Sequence, residues 1–149
     1  MAGSTGGGYG YALMHAAQAW RTEVAGVLRP HGLTVPQFLV VMELYRRVRH
    51  SSTPLTQAEV SVRLGMDANT TSQVVRGLEH RRLLLRSRHP DDARARALTL
   101  TGAGMERARE ASADARAHND RYFGVLGASQ LVALDQILTT LSTESEKRS

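Results

Sequence analysis

The chain has 149 residues, 42% of them hydrophobic, a formal net charge of +5 and no cysteine. That length supports one domain with a real core and a large share of surface, and the positive balance suits a polyanionic partner. Without cysteine the chain has neither a disulfide nor thiolate redox chemistry of its own.

Residues 1–8, MAGSTGGG, are small and flexible and lack the basic start and apolar run of a secretory signal. They read as a flexible tail, and with no apolar stretch long enough to span a membrane the expected location is the cytoplasm. From about Tyr9 to Leu28, the residues Leu13, Ala16, Ala17, Trp20, Val24, Val27 and Leu28 recur at helical spacing until Pro30-His31-Gly32 ends the run. Thr34 is placed to cap a second helix that tolerates Pro36 in its first turn. Phe38, Val41, Met42, Tyr45 and Val48 form its expected inner face, before His50 to Pro54 breaks the pattern.

Residues 54–101 read as helix, turn, helix and then a β-hairpin. Thr56 and Glu59 have capping-box spacing, Val60 and Leu64 lie one turn apart, and Gly65 lets that helix end. Asp67 then caps a helix from about Ala68 to about Arg82, with Thr71, Val74, Val75, Leu78 and the Arg82 stem on its buried side. Two short helices across a tight turn make a helix-turn-helix. The opposite face carries Asn69, Thr70, Ser72, Gln73 and Arg76, side chains of the kinds that read base edges and phosphates.

Leu-rich and Thr-containing runs at 83–88 and 93–101 flank His89-Pro90-Asp91-Asp92, which suits a hairpin with a connection longer than two residues. Period 2 puts Leu98 and Leu100 on one face and Arg94 and Arg96 on the same side beyond the core. A guanidinium at a hairpin tip fits the narrow, negative minor groove. Arginines 76, 81, 82, 86, 88, 94 and 96 stand against Glu79, Asp91 and Asp92, a local excess of four positive charges (seven minus three) beside a helix-turn-helix. Phosphate contact is the expectation, with Arg88, Arg94 and Arg96 as the wing's candidates.

After the hairpin, Thr101 opens a long helix to about Leu126 in which Met105, Ala108, Ser112, Ala115, Asn119, Tyr122 and Leu126 step by three and four. Most are small, which lets helices approach closely. Gly127 separates a last helix, capped by Ser129 and striped with Leu131, Leu134, Ile137, Leu138 and Leu141.

These residues resemble the MarR-type winged-helix transcriptional regulators over most of the chain. The most specific part is Asp92-x-Arg94 followed by Leu100-Thr101 and Gly104, similar to the family's wing motif, in which the arginine reaches the minor groove and Asp92 supports the turn. The segment LGMDANTTSQVVRGLEHRRLLLR resembles the recognition helix, with Ser72, Gln73 and Arg76 where family members contact DNA. Two positions depart from the pattern. Arg82 stands where Gly is usual, and Asn69 where Pro is common.

The resemblance implies a mainly α fold with a small β-wing: a winged helix-turn-helix (54–101) flanked by N- and C-terminal dimerisation helices (9–29 and 101–146), one domain over 9–149. It implies a homodimeric repressor on a pseudo-palindromic double-stranded operator, with recognition helices roughly 34 to 36 Å apart. It also implies release by a small aromatic or phenolic effector, for which His15, Trp20, Met42 and Tyr45 lie where a pocket would form. Plain core packing is the competing role for these four.

No catalytic constellation is present, so the chain is not read as an enzyme. The six histidines (15, 31, 50, 80, 89, 118) are scattered, none with H-x-x-x-H spacing, and the glycines form no nucleotide loop, so neither metal nor cofactor is expected. His89, beside Asp91 and Asp92, reads as a turn-stabilising or phosphate-facing residue. Two other functions fit the same residues: a ligand-independent or architectural DNA-binding protein, and a helical interaction protein that has lost DNA binding.

Overall fold

Three caps written in the sequence start three helices. Thr34 and Thr56 each form a reciprocal capping box, with Gln37 and Glu59 respectively, and Asp67 accepts from the Thr70 amide at 2.9 Å. The computed structural model describes residues 6–147. They form α1 (Gly6–Leu28), a single 3-10 turn (Arg29–His31), α2 (Val35–His50), β1 (Leu55–Thr56), α3 (Gln57–Leu64), α4 (Ala68–His80), β2 (Leu84–Arg88), β3 (Arg96–Leu100), α5 (Gly102–Phe123) and α6 (Ala128–Glu146). Helix α1 therefore begins three residues before the expected Tyr9, and residues 1–5 of the expected tail lie outside the described residues.

Within the span read as one domain, residues group into two compact units, one running to Ala115 and the other starting at Arg116. The first holds the core, in which Val24 and Leu28 of α1, Val40, Val41 and Leu44 of α2, Val60 of α3, Val75 and Leu78 of α4 and Leu84 and Leu98 of the sheet are almost fully buried. The second contains the end of α5 and all of α6, where Val132, Ile137, Leu138 and Leu141 are exposed. Among the described residues no single helix is long and apolar enough to cross a membrane.

The hairpin is one edge of a three-stranded antiparallel sheet in the order β1-β3-β2. Leu84 pairs with Leu100 and Arg88 with Arg96, while β1 adds Leu55 opposite Leu98 on the other side of β3. The sequence pattern predicts only the two strands of the hairpin. Two residues are too short for any alternation to show, and their pairing depends on β3 more than forty residues away. With neighbours on both sides, β3 buries Ala97 as well as Leu98.

Several boundaries and faces differ from expectation by one to three residues. The α2 interior is centred on Val40, Val41 and Leu44, with Phe38 and Tyr45 partly buried at its flank, and Val48 is 55% exposed. In α5 the buried positions of the first unit are Gly104, Ala108, Ala111 and Ala115, with Met105 and Ser112 half-buried to one side. The small-residue seam is real but rotated by about one residue from the expected one. Ser129 lies inside α6 and does not cap it. Instead the Gly127 amide donates to Gln130 Oε1 at 2.9 Å, and α5 stops at Phe123 rather than near Leu126.

Helix α4 ends at His80, two residues before the expected Arg82, for a reason visible in the backbone. Arg82 has φ 56°, the only positive value at a non-glycine among the described residues. The Leu83 amide donates to the Leu78 carbonyl at 2.9 Å and the Arg82 amide to the Glu79 carbonyl at 2.8 Å, the two bonds of a Schellman motif with Arg82 at its left-handed position. Gly65 occupies the same position after α3, with φ 60° and the Met66 amide on the Ser61 carbonyl at 3.0 Å. Arg82 thus does the job for which glycine is suited, and its stem is exposed rather than packed as expected.

Candidate nucleic-acid interface

Thr71 fastens the helix-turn-helix. It is fully buried, accepts from the Ser61 hydroxyl at 2.7 Å and donates to the Asp67 carbonyl at 2.9 Å, so α3 and α4 are tied across their turn. Val75 and Leu78 continue the buried side, and Val74 is half-buried. That rotation turns Asn69, Thr70, Gln73 and Arg76 outward, with Ser72 half-buried at the edge.

The outward residues are not equally free. The Thr70 hydroxyl donates to Asp67 Oδ2 at 2.6 Å; this bond and the one from the Thr70 amide hold the Asp67 carboxyl below its usual range. Thr70 therefore serves first as part of the helix start. Arg76 folds back on Ser72, with Nη2 3.2 Å from Ser72 Oγ and Nε 3.4 Å from its carbonyl. Both Arg76 contacts are solvent-exposed and weak enough to be exchanged for a stronger acceptor such as a phosphate or a guanine edge. Asn69 and Gln73 are exposed and, among the described residues, make no side-chain hydrogen bond that would have to be given up.

The wing is organised around Asp92. Its Oδ1 accepts the Arg94 amide at 2.9 Å and its carbonyl accepts the Ala95 amide at 3.1 Å, an Asx turn that fixes the backbone under Arg94. Arg94 is exposed, as are Arg88 and Arg96, which face each other across the last pair of the β2–β3 ladder. His89 accepts the Asp91 amide on Nδ1 at 3.2 Å and reaches the Pro54 carbonyl with Nε2 at 3.3 Å. The turn-stabilising role expected of it is the one the geometry gives.

Charge counting had treated all seven arginines between 76 and 96 alike, and the fold divides them. Arg81 donates to the Gly32 carbonyl, in the turn after α1. Arg86 is half-buried, with Nε 3.0 Å from Glu79 Oε2. Both are structural. From the other side Arg107 of α5 donates to the His31 carbonyl, and His31 Nε2 lies 2.8 Å from Asp114 Oδ2. The 29–33 turn is thereby held by the end of α4 and by α5, and no local pattern announces it.

Gly104, noted only as part of a motif, is required by space. A Cβ there would lie 1.9 Å from the Leu83 carbonyl oxygen, which itself accepts the Thr101 amide at 3.1 Å. Thr101 Oγ1 also donates to the Arg82 carbonyl at 2.7 Å and accepts the Gly104 amide at 3.0 Å. The Leu-Thr-x-x-Gly run is thus a clamp that seats the start of α5 on the chain entering the wing.

Of the four residues considered for an effector pocket, His15 and Trp20 lie on α1 and Met42 and Tyr45 on α2. His15 is exposed, its ring 6.0 Å from that of Tyr11; Trp20 and Tyr45 are half-buried against the core; Met42 is half-buried; and Arg49 lies 5.9 Å above the Tyr45 ring. Two cavities of the same unit are lined by other residues: one by Leu44, Arg47, Val48, Ser51, Pro54 and Leu98 among others, the second by Ala25, Arg29 and residues 32–35.

An exposed polar helix behind a sequence-marked turn, a buried clasp beneath it and a basic β-wing beside it define a winged helix-turn-helix, a DNA-binding architecture. The comparisons with known proteins place it more closely. A model of the MarR family matches residues 31–95. The HTH-type transcriptional repressor Rv2887 of Mycobacterium tuberculosis is 29% identical over 135 residues, covering 91% of this chain and 94% of the relative. The transcriptional repressor CouR bound to a 23-mer DNA duplex superposes with a TM-score of 0.80 at 29% identity, over 89% of this chain and 91% of its own. CouR from Rhodococcus jostii RHA1 bound to p-coumaroyl-CoA aligns with a TM-score of 0.76 at 22% identity, over 89% and 90%, a likeness of fold. The chain belongs to the MarR family of winged-helix transcriptional regulators.

Proposed function

We propose that this chain is a cytoplasmic homodimeric repressor that binds a pseudo-palindromic DNA operator and releases it when a small-molecule effector binds. The observation that carries the DNA reading is the pairing of an exposed Gln73–Arg76 helix face with a wing turn that presents Arg94 from an Asx-fixed backbone. Asn69, Ser72, Gln73 and Arg76 are assigned to the major groove, with Thr70 near the phosphates, and Arg94 with Arg96 and Arg88 to the minor groove and its flanking phosphates. The DNA-bound state of CouR supports this assignment.

Dimerisation is supported by what single-chain packing leaves uncovered. In α1 the residues Tyr9, Tyr11, Leu13 and Met14 are 48–80% exposed although they lie on a helix of amphipathic pattern. In α6 the leucine stripe is likewise open: Leu131, Ile137, Leu138 and Leu141 are all exposed. Apolar terminal helices of this kind are buried against a second copy in two-fold dimers. An effector near His15, Trp20, Met42 and Tyr45, small and aromatic or phenolic, is part of the same proposal; the p-coumaroyl-CoA complex of CouR supports ligand control.

Sedimentation of the purified chain at micromolar concentration should give twice the monomer mass. Binding to duplex DNA from its own upstream region should weaken steeply with salt, and Arg76→Ala and Arg94→Ala should each cost about 1–3 kcal/mol while leaving the dimer intact. Equal affinity for that duplex and for random DNA at matched salt would favour an architectural role. Absence of duplex binding even at low salt would remove the DNA reading altogether.

A further inference from the structure

We propose that His89 is a positioning residue for the wing: its imidazole, held between the Asp91 amide and the Pro54 carbonyl, sets where Arg94 is presented to DNA. The inference rests on the assignment of Arg94 to the minor groove made above.

The ring's two nitrogens have fixed and different tasks. Nδ1 accepts the Asp91 amide at 3.2 Å, so in the neutral ring the proton sits on Nε2, which donates to the Pro54 carbonyl at 3.3 Å. Pro54 is not part of the wing. It directly precedes Leu55, which is 1% exposed and paired with Leu98, and Thr56, which caps α3. The Pro54 carbonyl is therefore an anchor on the helix-turn-helix frame, reached from the turn end of the hairpin.

From His89 the constraint passes along the turn. The His89 amide donates to the Ala95 carbonyl at 3.1 Å, the Ala95 amide to the Asp92 carbonyl at 3.1 Å and the Arg94 amide to Asp92 Oδ1 at 2.9 Å. These bonds make residues 89–95 internally stiff, but none of them says how that stiff turn sits relative to α4. The ladder ends at the Arg88–Arg96 pair, and the end of a short two-stranded ribbon twists readily. The imidazole supplies a side-chain link from the turn to the residue that leads into β1, outside the hairpin's own two strands. Glu59, whose carboxylate caps α3, is held below its ordinary value chiefly by the Thr56 amide, with smaller contributions from the charges of His89 and Arg47.

A double-mutant cycle separates positioning from direct contact. Wild type, His89→Ala, Arg94→Ala and the double variant are titrated with an operator duplex selected by the wild-type protein from random-sequence DNA. All four titrations are made at one fixed pH and salt concentration. His89→Ala should weaken binding about fivefold in the wild-type background, the scale of one lost hydrogen bond, and less than about twofold once Arg94 is gone. An equal loss in both backgrounds, or no loss in the first, overturns the proposal. If Arg94→Ala itself costs nothing, the minor-groove reading fails and this inference falls with it. Two further variants guard against a trivial folding defect. His89→Gln retains a donor able to reach Pro54 and should bind nearly as wild type, whereas His89→Asn is too short and should match His89→Ala; equal weakness of Gln and Asn overturns the Pro54 link.

Discussion

Replacing Arg82 by glycine should make the protein more stable. At φ 56° a residue with a Cβ costs about 1–2 kcal/mol, which glycine does not pay. Glycine loses more backbone freedom on folding, about 0.5–1 kcal/mol relative to alanine. The difference leaves a gain of about 0.5–1 kcal/mol. No compensating side-chain contact is lost, because Arg82 is exposed and its structural bonds run through its amide and carbonyl, to the Glu79 carbonyl and from Thr101 Oγ1. For a chain of this length the gain corresponds to a rise in Tm of roughly 2–3 °C, read by differential scanning calorimetry at one fixed protein concentration because subunit association also moves Tm. Arg82→Ala is the decisive control. It removes the charge from an arginine-rich segment but keeps the left-handed strain, so its Tm should stay within about 1 °C of wild type. Arg82→Asn should fall between the two. Equal rises for Ala and Gly would show that charge repulsion, not backbone strain, is what Arg82 costs.

Gly104→Ala should be destabilising by several times the ordinary helix-surface effect, roughly 3 kcal/mol or more, since its Cβ would collide with a backbone carbonyl that is itself engaged; an unchanged urea midpoint would contradict the clamp. Thr71→Val keeps the shape of a fully buried side chain but orphans the Ser61 hydroxyl, and a loss of about 1–2 kcal/mol in urea unfolding is expected. Acid should weaken the caps of α3 and α4. The Thr56 amide holds Glu59, and the Thr70 hydroxyl holds Asp67, below their ordinary values of 4.5 and 3.8. A lowered native value means the stabilisation is complete above those ordinary values and is lost as pH falls through the lowered ones. Asp67→Asn, which still caps but does not titrate, should flatten the pH dependence of the urea midpoint below pH 5; an identical acid limb in wild type and variant would count against it.

The parts of this molecule that the sequence announced are those built from neighbours in the chain. Thr34 with Gln37, Thr56 with Glu59 and Asp67 with Thr70 bond across three residues, so three helix starts were legible locally, Thr56 by its spacing to Glu59 and Thr34 and Asp67 as capping residue types. The wing turn was legible for the same reason, since Asp92 acts on the amide two residues on. The polar face of α4 followed from helical period.

What only the tertiary structure decided depends on partners far away in sequence. Strand β1 exists because Leu55 meets Leu98, and Arg81 is taken out of the DNA-facing set by a carbonyl 49 residues earlier, as Arg107 is tied to one 76 residues earlier. Charge counts see seven equivalent arginines; a hydrogen bond to the Gly32 carbonyl and an ion pair with Glu79 set Arg81 and Arg86 apart from the exposed Arg76, Arg82, Arg88, Arg94 and Arg96. Arg82 itself joins the two levels. Its departure from glycine was visible at once, but the strain it carries is set by the Schellman bonds that close α4, and Leu83 continues into the core that those bonds serve. Local hydrogen bonds fix where elements begin, whereas the packing of one element on another fixes which of its side chains remain free to act.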